Sequence, residues 1–378
     1  METGNAIELK GVTKRFGDVI ANDNVNLTVR KGEILSILGE NGSGKTTLMN
    51  MLSGIYFPDE GEIYVDGKEV TIRSPKDSFA LGIGMIHQHF KLINILTAAE
   101  NIILGLPGKE KLNMKQVEKE IRELTEQYGF DLNPSQKIYD MSVSQKQTVE
   151  IVKVLYRGAD ILILDEPTAV LTPQETEKLF AVLRNMRKAG KSIIIITHKL
   201  NEVLELSDRV AVLRKGKYIN TVETAKATVE SLTEMMVGEK VKLDINRTEP
   251  VGAEKRIEMR GITCKNKEGL KVLTEASFTA YSGEILGVAG ISGSGQKELL
   301  ESVAGLQPIE SGEILYFSPE GTTEKISEMK AEDIKNLGIT LSFVPEDRLG
   351  MGLVGSMDLT DNMMIRSYKE GIRKIGRA

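Results

Sequence analysis

The sequence predicts an α/β fold made of two sibling domains in tandem, with a mostly parallel sheet at its centre. Runs such as Ile161–Leu164 and Ile193–Ile196 are apolar at every position, which suits parallel strands that are covered on both faces. Residues 7–13 read IELKGVT, and residues 257–263 repeat this as IEMRGIT. Since this period far exceeds that of a solenoid, it indicates duplication of a whole domain.

Composition narrows the class of protein. A chain of 378 residues suggests about two domains, and a net charge of −5 argues against a nucleic-acid partner bound through a broad basic face. The single cysteine, Cys264, excludes an intrachain disulfide and favours a reducing compartment. The N-terminus lacks a signal-peptide profile, and the longest apolar run is too short to span a bilayer. We therefore expect any membrane role to come through a partner.

A glycine-rich loop carries the first functional signal. Residues 39–47 read GENGSGKTT, which fits the phosphate-loop pattern G-x-x-x-x-G-K-[ST]. A predicted strand, Glu33–Leu38, precedes the loop, and a helical pattern that ends at Gly54 follows it. This context argues against a chance match and predicts a nucleotide site in which backbone N–H groups surround the phosphates. The predicted binding residues in this loop are Gly39, Glu40, Asn41, Gly42, Ser43, Gly44, Lys45, Thr46 and Thr47.

Within this loop, Lys45 is expected to reach the β- and γ-phosphates, and the Thr46 hydroxyl is expected to hold Mg²⁺. Two carboxylates follow the predicted strand Ile161–Leu164. Asp165 is placed to support Mg²⁺ through water, and Glu166 is placed to polarise the water that attacks the γ-phosphate. The alternative is a pair of helix N-terminal residues ahead of Pro167.

Three further side chains lie where they can complete such a site. His198 ends the next apolar run and can hold the γ-phosphate and orient the water, unless it is a plain surface histidine. Gln88 follows another predicted strand and is a candidate to sense the metal and the attacking water; the nearby His87 and His89 indicate a transition-metal site only weakly. Phe16 is a candidate to stack on adenine, with a core phenylalanine as the alternative.

A predicted helix with Ser142 as its N-cap begins about 20 positions before Asp165. With this segment, the order and spacing of the motifs resemble the nucleotide-binding domain of an ABC ATPase. The tandem copy further resembles the duplicated ATP-binding subunits of bacterial sugar and nucleoside importers. Residues 166–175 (EPTAVLTPQE), 84–90 (GMIHQHF) and 344–348 (VPEDR) resemble the nucleoside or simple-sugar branch most closely. The resemblance identifies Ser142, Val143, Ser144 and Gln145 as the signature segment.

What the resemblance implies is an ATPase, with ATP and Mg²⁺ as cofactors, that powers import of a nucleoside or simple sugar. Its partners are expected to be integral membrane permease subunits and, indirectly, an extracytoplasmic solute-binding protein, with no nucleic acid. Its expected location is peripheral, on the cytoplasmic face of the cell membrane.

The chain departs from the family pattern at two places. In the signature, which usually reads LSGGQ, Val143 and Ser144 replace the two glycines, and their side chains obstruct a close approach of backbone to phosphate. In the second copy, Gln296 replaces the phosphate-loop lysine, so charge-assisted contacts are lost. The degenerate second loop comprises Gly290, Gly293, Gly295 and Gln296.

In the family, two such domains pair head to tail, with each ATP between the phosphate loop of one and the signature of the other. In that arrangement, both departures are expected to lie in the same composite site. Thr172, a further substitution in the segment that follows Glu166, is expected to lie there as well. The hypothesis is one competent and one degenerate site.

The expected domains are a competent ABC ATPase domain over 1–238, a linker over 239–255 and a partial second domain over 256–378. The second copy stops early relative to the first, so we expect a C-terminal truncation and a poorly active isolated chain. Two alternatives stay open. One is a soluble tandem-ABC ATPase of the translation-factor type, which needs two intact phosphate loops and a long charged helical linker. The other is an inactive nucleotide-binding fragment.

Overall fold

The computed structural model describes residues 4–87, 90–106, 113–239, 252–265, 269–290, 294–337, 339, 344 and 352–365. The chain divides into two compact units, Met1–Asp244 and Ile245–Ala378. In the described part of the chain, no helix is long and apolar enough to cross a membrane.

The first unit alternates strands and helices, as the sequence predicts. Its strands are β1 (Asn5–Phe16), β2 (Val19–Arg30), β3 (Ile34–Leu38), β4 (Glu60–Val65), β5 (Lys68–Val70), β6 (Ile83–Ile86), β7 (Ile161–Asp165), β8 (Ser192–Thr197), β9 (Arg209–Arg214) and β10 (Lys217–Glu223). Its helices are α1 (Lys45–Leu52), α2 (Pro75–Ala80), α3 (Ala98–Ile103), α4 (Met114–Tyr128), α5 (Val143–Tyr156), α6 (Pro173–Lys188), α7 (Leu200–Leu206) and α8 (Val229–Val237).

The strands of the first unit form two sheets. The larger has the order β10-β9-β3-β8-β7-β6, and all its neighbouring pairs are parallel except β10 with β9. Strands β3, β7 and β8 are buried at every position, which explains why their sequences show no polar alternation. The smaller sheet, β2-β1-β4-β5, is antiparallel. The predicted α/β fold is confirmed.

This topology brings four strand ends to one edge of the larger sheet. Parallel strands share a direction, so the residues that follow β3, β6, β7 and β8 lie at the same edge, where open α/β sheets bind ligands. The glycine-rich loop follows β3, while Asp165 and Thr197 end β7 and β8.

The helical stretch between β6 and β7 has a core of its own. Helices α3, α4 and α5 pack Ile102, Ile121 and Val149 against one another, each with no exposed surface. Thr97 and Glu100 form a capping box at the start of α3, which satisfies two of the free N–H groups of that helix end.

The second unit repeats the first half of this plan. It contains β11 (Lys255–Lys265), β12 (Lys271–Tyr281), β13 (Ser311–Phe317) and β14 (Thr323–Lys325), which form an antiparallel sheet in the order β12-β11-β13-β14. Its helices are α9 (Gln296–Val303), α10 (Ala331–Asn336) and α11 (Leu359–Met364).

The segment that follows β12 differs from its counterpart in the first unit. Residues 284–290 match the segment that forms β3, yet they form no strand, and Ile285 is fully exposed. In the first unit, β3 lies between β8 and β9, and the described residues of the second unit include no strands equivalent to those two. Without neighbours to pair with, the segment lacks the hydrogen bonds that define a strand.

Candidate functional site

The glycine-rich loop joins β3 to α1, and its backbone geometry explains its glycines. Gly44 adopts φ +92° immediately before α1, a conformation that residues with a Cβ rarely adopt. A Cβ on Gly44 would lie 2.4 Å from the Ala21 carbonyl oxygen, and one on Gly39 would lie 2.3 Å from that of Leu213. No side chain caps the first turn of α1, so its N–H groups face the loop in the manner of an anion site.

Lys45 is folded back into this loop. The residue is 6% exposed, and its Nζ donates hydrogen bonds to the carbonyl oxygens of Gly39 (2.7 Å) and Glu40 (2.8 Å). Burial lowers the pKa of Lys45, while the carboxylates of Glu166 and Asp165 act to raise it. These two carbonyl oxygens hold the ammonium within the loop, where a phosphate would offer it a charge-assisted hydrogen bond.

The remaining loop residues vary in exposure. Ser43 is buried, and its Oγ has no hydrogen-bond partner among the described residues. Such an unpaired hydroxyl at the base of a glycine loop fits a loop that takes an anion. Thr47 and Gly44 are half-buried, while Glu40, Asn41, Gly42 and Thr46 are exposed.

Two residues that sequence reasoning missed hold this loop from outside. Asn22 on β2 is fully buried, and its Nδ2 donates to the Gly44 carbonyl oxygen at 3.2 Å. The backbone N–H of Gly216, in the turn between β9 and β10, donates to the Ser43 carbonyl oxygen at 3.2 Å. A polar Asn22 among the apolar positions of its strand is the only local signal that could have indicated this contact.

The two carboxylates differ in environment. Asp165 is buried at the end of β7, and the Thr46 hydroxyl donates to its Oδ2 at 3.4 Å. Burial, and secondly the nearby Glu166, raise the pKa of Asp165, although Thr46 and Lys45 act in the opposite direction. Threonine hydroxyl and carboxylate oxygens are hard ligands, so this pair fits a magnesium ion.

Because its pKa is raised in the folded state, ionised Asp165 opposes folding above that pKa and ceases to do so as the pH falls. We expect Asp165→Asn to raise Tm at pH 7.5 by about 1–4 °C, and less at pH 4.5, measured by calorimetry without ligands. Asp18→Asn, in the exposed turn after β1, is the control and should leave Tm unchanged. A lower Tm for Asp165→Asn at pH 7.5 would show that the attraction to Lys45 outweighs desolvation.

Glu166 lies beside His198. Its Oε1 is 2.9 Å from the His198 Nδ1; the glutamate is partly buried and the histidine half-exposed. Glu166 adopts φ +47°, which is strained for a residue with a side chain, and its N–H donates to the Ile196 carbonyl oxygen at 2.9 Å. The contacts with His198 and Ile196 hold both the side chain and the backbone of Glu166 in place.

The helix N-cap interpretation of Asp165 and Glu166 is wrong. The next helix, α6, begins at Pro173, and its N-cap is Thr172, which forms a capping box with Glu175. The intervening turn is held by Lys199, whose Nζ donates to the Thr168 carbonyl oxygen at 2.9 Å. Lys199 is a further residue that sequence reasoning missed, since it stands in no motif that would have selected it.

The signature segment forms the start of α5, as predicted. Ser142 is the N-cap, and it exchanges hydrogen bonds with Gln145 in a capping box. Val143 is 44% exposed, and Ser144 lies in the first turn. Farther along α5, the buried Gln147 donates to the Pro167 carbonyl oxygen at 2.6 Å, which ties the signature helix to the turn after Glu166.

Phe16 ends β1 and is 44% exposed, so the core-phenylalanine alternative is wrong. Its strand pairs with β2, which carries Asn22 to the phosphate loop. Gln88 and His89 lie outside the described residues, while His87 is partly buried and burial lowers its pKa.

The second glycine loop differs from the first in chemistry. Gly295 adopts φ +89° before α9, as Gly44 does before α1. Gln296 donates from Nε2 to the Val288 carbonyl oxygen at 2.8 Å, so a neutral amide stands where the first loop has an ammonium. Gly290 is exposed, and Gly293 lies outside the described residues.

The chain is similar to several known proteins. The family model described as ABC transporter matches residues 22–169. The chain is 44% identical over 370 residues to the nucleoside import ATP-binding protein NupA of Lactococcus lactis, covering 97% of this chain and 72% of that protein. It is 43% identical to the guanosine import ATP-binding protein NupO of Bacillus subtilis, covering 96% and 70%, and 39% identical to the glucose import ATP-binding protein TsgD13 of Haloferax volcanii, also covering 96% and 70%.

Among solved structures, the ADP conformation of an ATP-binding cassette from an ABC transporter superposes with a TM-score of 0.56 at 27% identity, covering 63% of this chain and 100% of that one. The chain belongs to the import ATP-binding proteins of ABC transporters, in the group that includes nucleoside and sugar importers, and it is an ATPase.

Proposed function

We propose that the first unit holds and hydrolyses Mg·ATP to power import of a nucleoside through a separate membrane permease. The observation that carries the proposal is the convergence of five side chains at one sheet edge. Lys45 and Thr46 come from the loop after β3, Asp165 and Glu166 from the end of β7, and His198 from the residue after β8.

Each residue of the site has a proposed role. Lys45 and the loop N–H groups bind the β- and γ-phosphates, and Phe16 stacks on adenine. Thr46 and Asp165 would hold Mg²⁺, which neutralises charge on the phosphates when it is bound. Gln88 is proposed to contact both the metal and the attacking water.

Glu166 is the proposed general base. A carboxylate at this position can accept a proton from the attacking water, and His198, bonded to it at 2.9 Å, fixes its orientation. His198 also hydrogen-bonds the γ-phosphate in this scheme. Phosphoryl transfer depends mainly on positioning and charge, and the hydrogen bond from the Glu166 N–H to Ile196 anchors this residue to β8.

The second unit is proposed to hold a degenerate loop, with Gln296 in place of the lysine. The signature segment of the first unit also departs from the usual pattern, since Val143 and Ser144 replace its glycines. We therefore assign ATP hydrolysis to the site that contains Lys45.

The nucleoside is favoured over a sugar because two of the most similar relatives, NupA and NupO, are named for nucleoside and guanosine import. The proposed assembly lies on the cytoplasmic face of the membrane and receives its solute from an extracytoplasmic binding protein. We assign no nucleic-acid partner.

Uptake measurements test the substrate class. Cells with and without this subunit are compared for uptake of labelled guanosine, labelled ribose and labelled glucose. We expect loss of the subunit to reduce guanosine uptake at least about tenfold and to leave both sugars unchanged. Selective loss of ribose or glucose uptake would instead assign a sugar importer.

A further inference from the structure

Phe16 has an aromatic neighbour. The rings of Phe16 and Tyr56 lie 5.1 Å apart between centroids, with an angle of 73° between their planes, an edge-to-face pair. Both rings are partly exposed, at 44% and 36%, so the pair is not part of the hydrophobic core. Edge-to-face contact restricts the ring orientations that each partner can adopt.

Tyr56 is fixed relative to the phosphate loop. It lies in the connector between α1 and β4, residues Ser53–Asp59, and the N–H groups of Ile55 and Tyr56 both donate to the Asn50 carbonyl oxygen, at 2.9 and 3.1 Å. Helix α1, which contains Asn50, begins with Lys45. Helix α1 therefore connects Lys45, which is proposed to bind the phosphates, to the carbonyl group that anchors the backbone of Tyr56.

Charged contacts hold the same two segments together. Asp59, at the end of the connector, accepts hydrogen bonds from the Lys14 Nζ at 2.9 Å and from the Arg15 N–H at 2.6 Å. These contacts place the end of β1 against the connector. The contact with Tyr56 then restricts the orientation of the Phe16 ring.

The second unit has the backbone bonds and the charged contact of the connector, but it has no tyrosine at the position of Tyr56. Its connector, Ala304–Glu310, has the same backbone bonds, with Leu306 and Gln307 both donating to the Glu301 carbonyl oxygen, at 2.9 and 3.2 Å. The charged contact also persists as a Lys265–Glu310 ion pair. At the position of Tyr56, however, stands Gln307, whose side-chain amide donates to the Lys265 carbonyl oxygen at 2.7 Å.

The connector therefore folds in the same way without a tyrosine. The aromatic pair occurs in the unit that has the phosphate-loop lysine, while the unit with Gln296 has glutamine at the tyrosine position. A role in folding of the connector does not explain this difference, whereas a role in holding the base of a nucleotide does.

We propose that Tyr56 is a positioning residue for base recognition, because it holds the Phe16 ring in the orientation that stacks on adenine. The inference rests on the proposed contact between Phe16 and adenine. Through α1, it ties recognition of the base to the lysine that binds the phosphates.

The test compares two ligands that differ by the base. Affinities of the chain for Mg·ATP and for inorganic tripolyphosphate with Mg²⁺ are measured by calorimetry. Tyr56→Ala and Tyr56→Leu are expected to weaken ATP binding about threefold to tenfold and to leave tripolyphosphate binding unchanged, while Tyr56→Phe matches the natural protein. In a Phe16→Ala background, Tyr56→Ala should have no further effect, since the tyrosine acts through that ring.

The outcomes are distinguishable. If Phe16→Ala leaves ATP affinity unchanged, the proposed stacking role of Phe16 fails and this inference fails with it. If Phe16→Ala weakens ATP binding but neither Tyr56→Ala nor Tyr56→Leu does, this inference alone is overturned. Equal losses for ATP and tripolyphosphate would also overturn it, because they would show that Tyr56 supports α1 rather than the base.

Discussion

Replacement of Lys45 by glutamine is expected to weaken Mg·ATP binding at least about 30-fold, as measured by calorimetry. The physical reason is loss of a buried charge-assisted contact, which typically costs about 2–5 kcal/mol. Lys45 is 6% exposed and already bonds two carbonyl oxygens of its own loop, so its ammonium is oriented before a phosphate arrives. Glutamine supplies a hydrogen bond without the charge.

The second unit provides the matched control. Gln296 occupies the same position before α9, and Gln296→Ala is expected to change ATP affinity by less than about twofold. Melting temperatures without nucleotide check that each variant folds. Equal losses of affinity in Lys45→Gln and Gln296→Ala would contradict the assignment of the nucleotide to the first unit.

Replacement of Glu166 by glutamine is expected to lower steady-state ATP hydrolysis by about 10²–10⁴-fold, the usual contribution of a general base. ATP affinity should change by less than about twofold, because glutamine has the same size and can still bond His198. The rate is measured in the importer reconstituted with its permease in proteoliposomes.

Glu205→Gln is a suitable control, since this glutamate lies on the exposed surface of α7 and pairs with Arg184. Its hydrolysis rate should match that of the natural protein. If Glu166→Gln retained steady hydrolysis near the natural rate, the proposal of a single competent site with Glu166 as its base would be wrong.

Local patterns in the sequence were sufficient to predict much of the fold. The strand, loop and helix around Lys45 each have a short-range signal: an apolar run, glycines, and a helical period. The apolar runs within β7 and β8 likewise indicate a parallel sheet that is covered on both faces. From the direction of parallel strands, it follows that Asp165 and His198 lie near the same edge.

Contacts between distant parts of the chain were not predictable in this way. Asn22 and Gly216 reach the phosphate loop from β2 and from the β9–β10 turn, and neither residue stands in a recognisable motif. The pairing of Phe16 with Tyr56 depends on how β1 meets the connector. The exposed segment at Ile285 resembles β3 in sequence, but a strand also needs neighbours, which a local pattern does not report.

Photolabelling with 2-azido-ATP tests whether the first unit binds the nucleotide, since the reagent marks whatever lies beside the adenine. The chain is labelled at a concentration near its Kd, digested and examined by mass spectrometry. We expect label to fall predominantly on peptides that contain Phe16 or Tyr56, and we expect Lys45→Gln to abolish it. Comparable labelling of the second unit, around β11 or the connector Ala304–Glu310, would contradict the claim that the first unit carries the competent site.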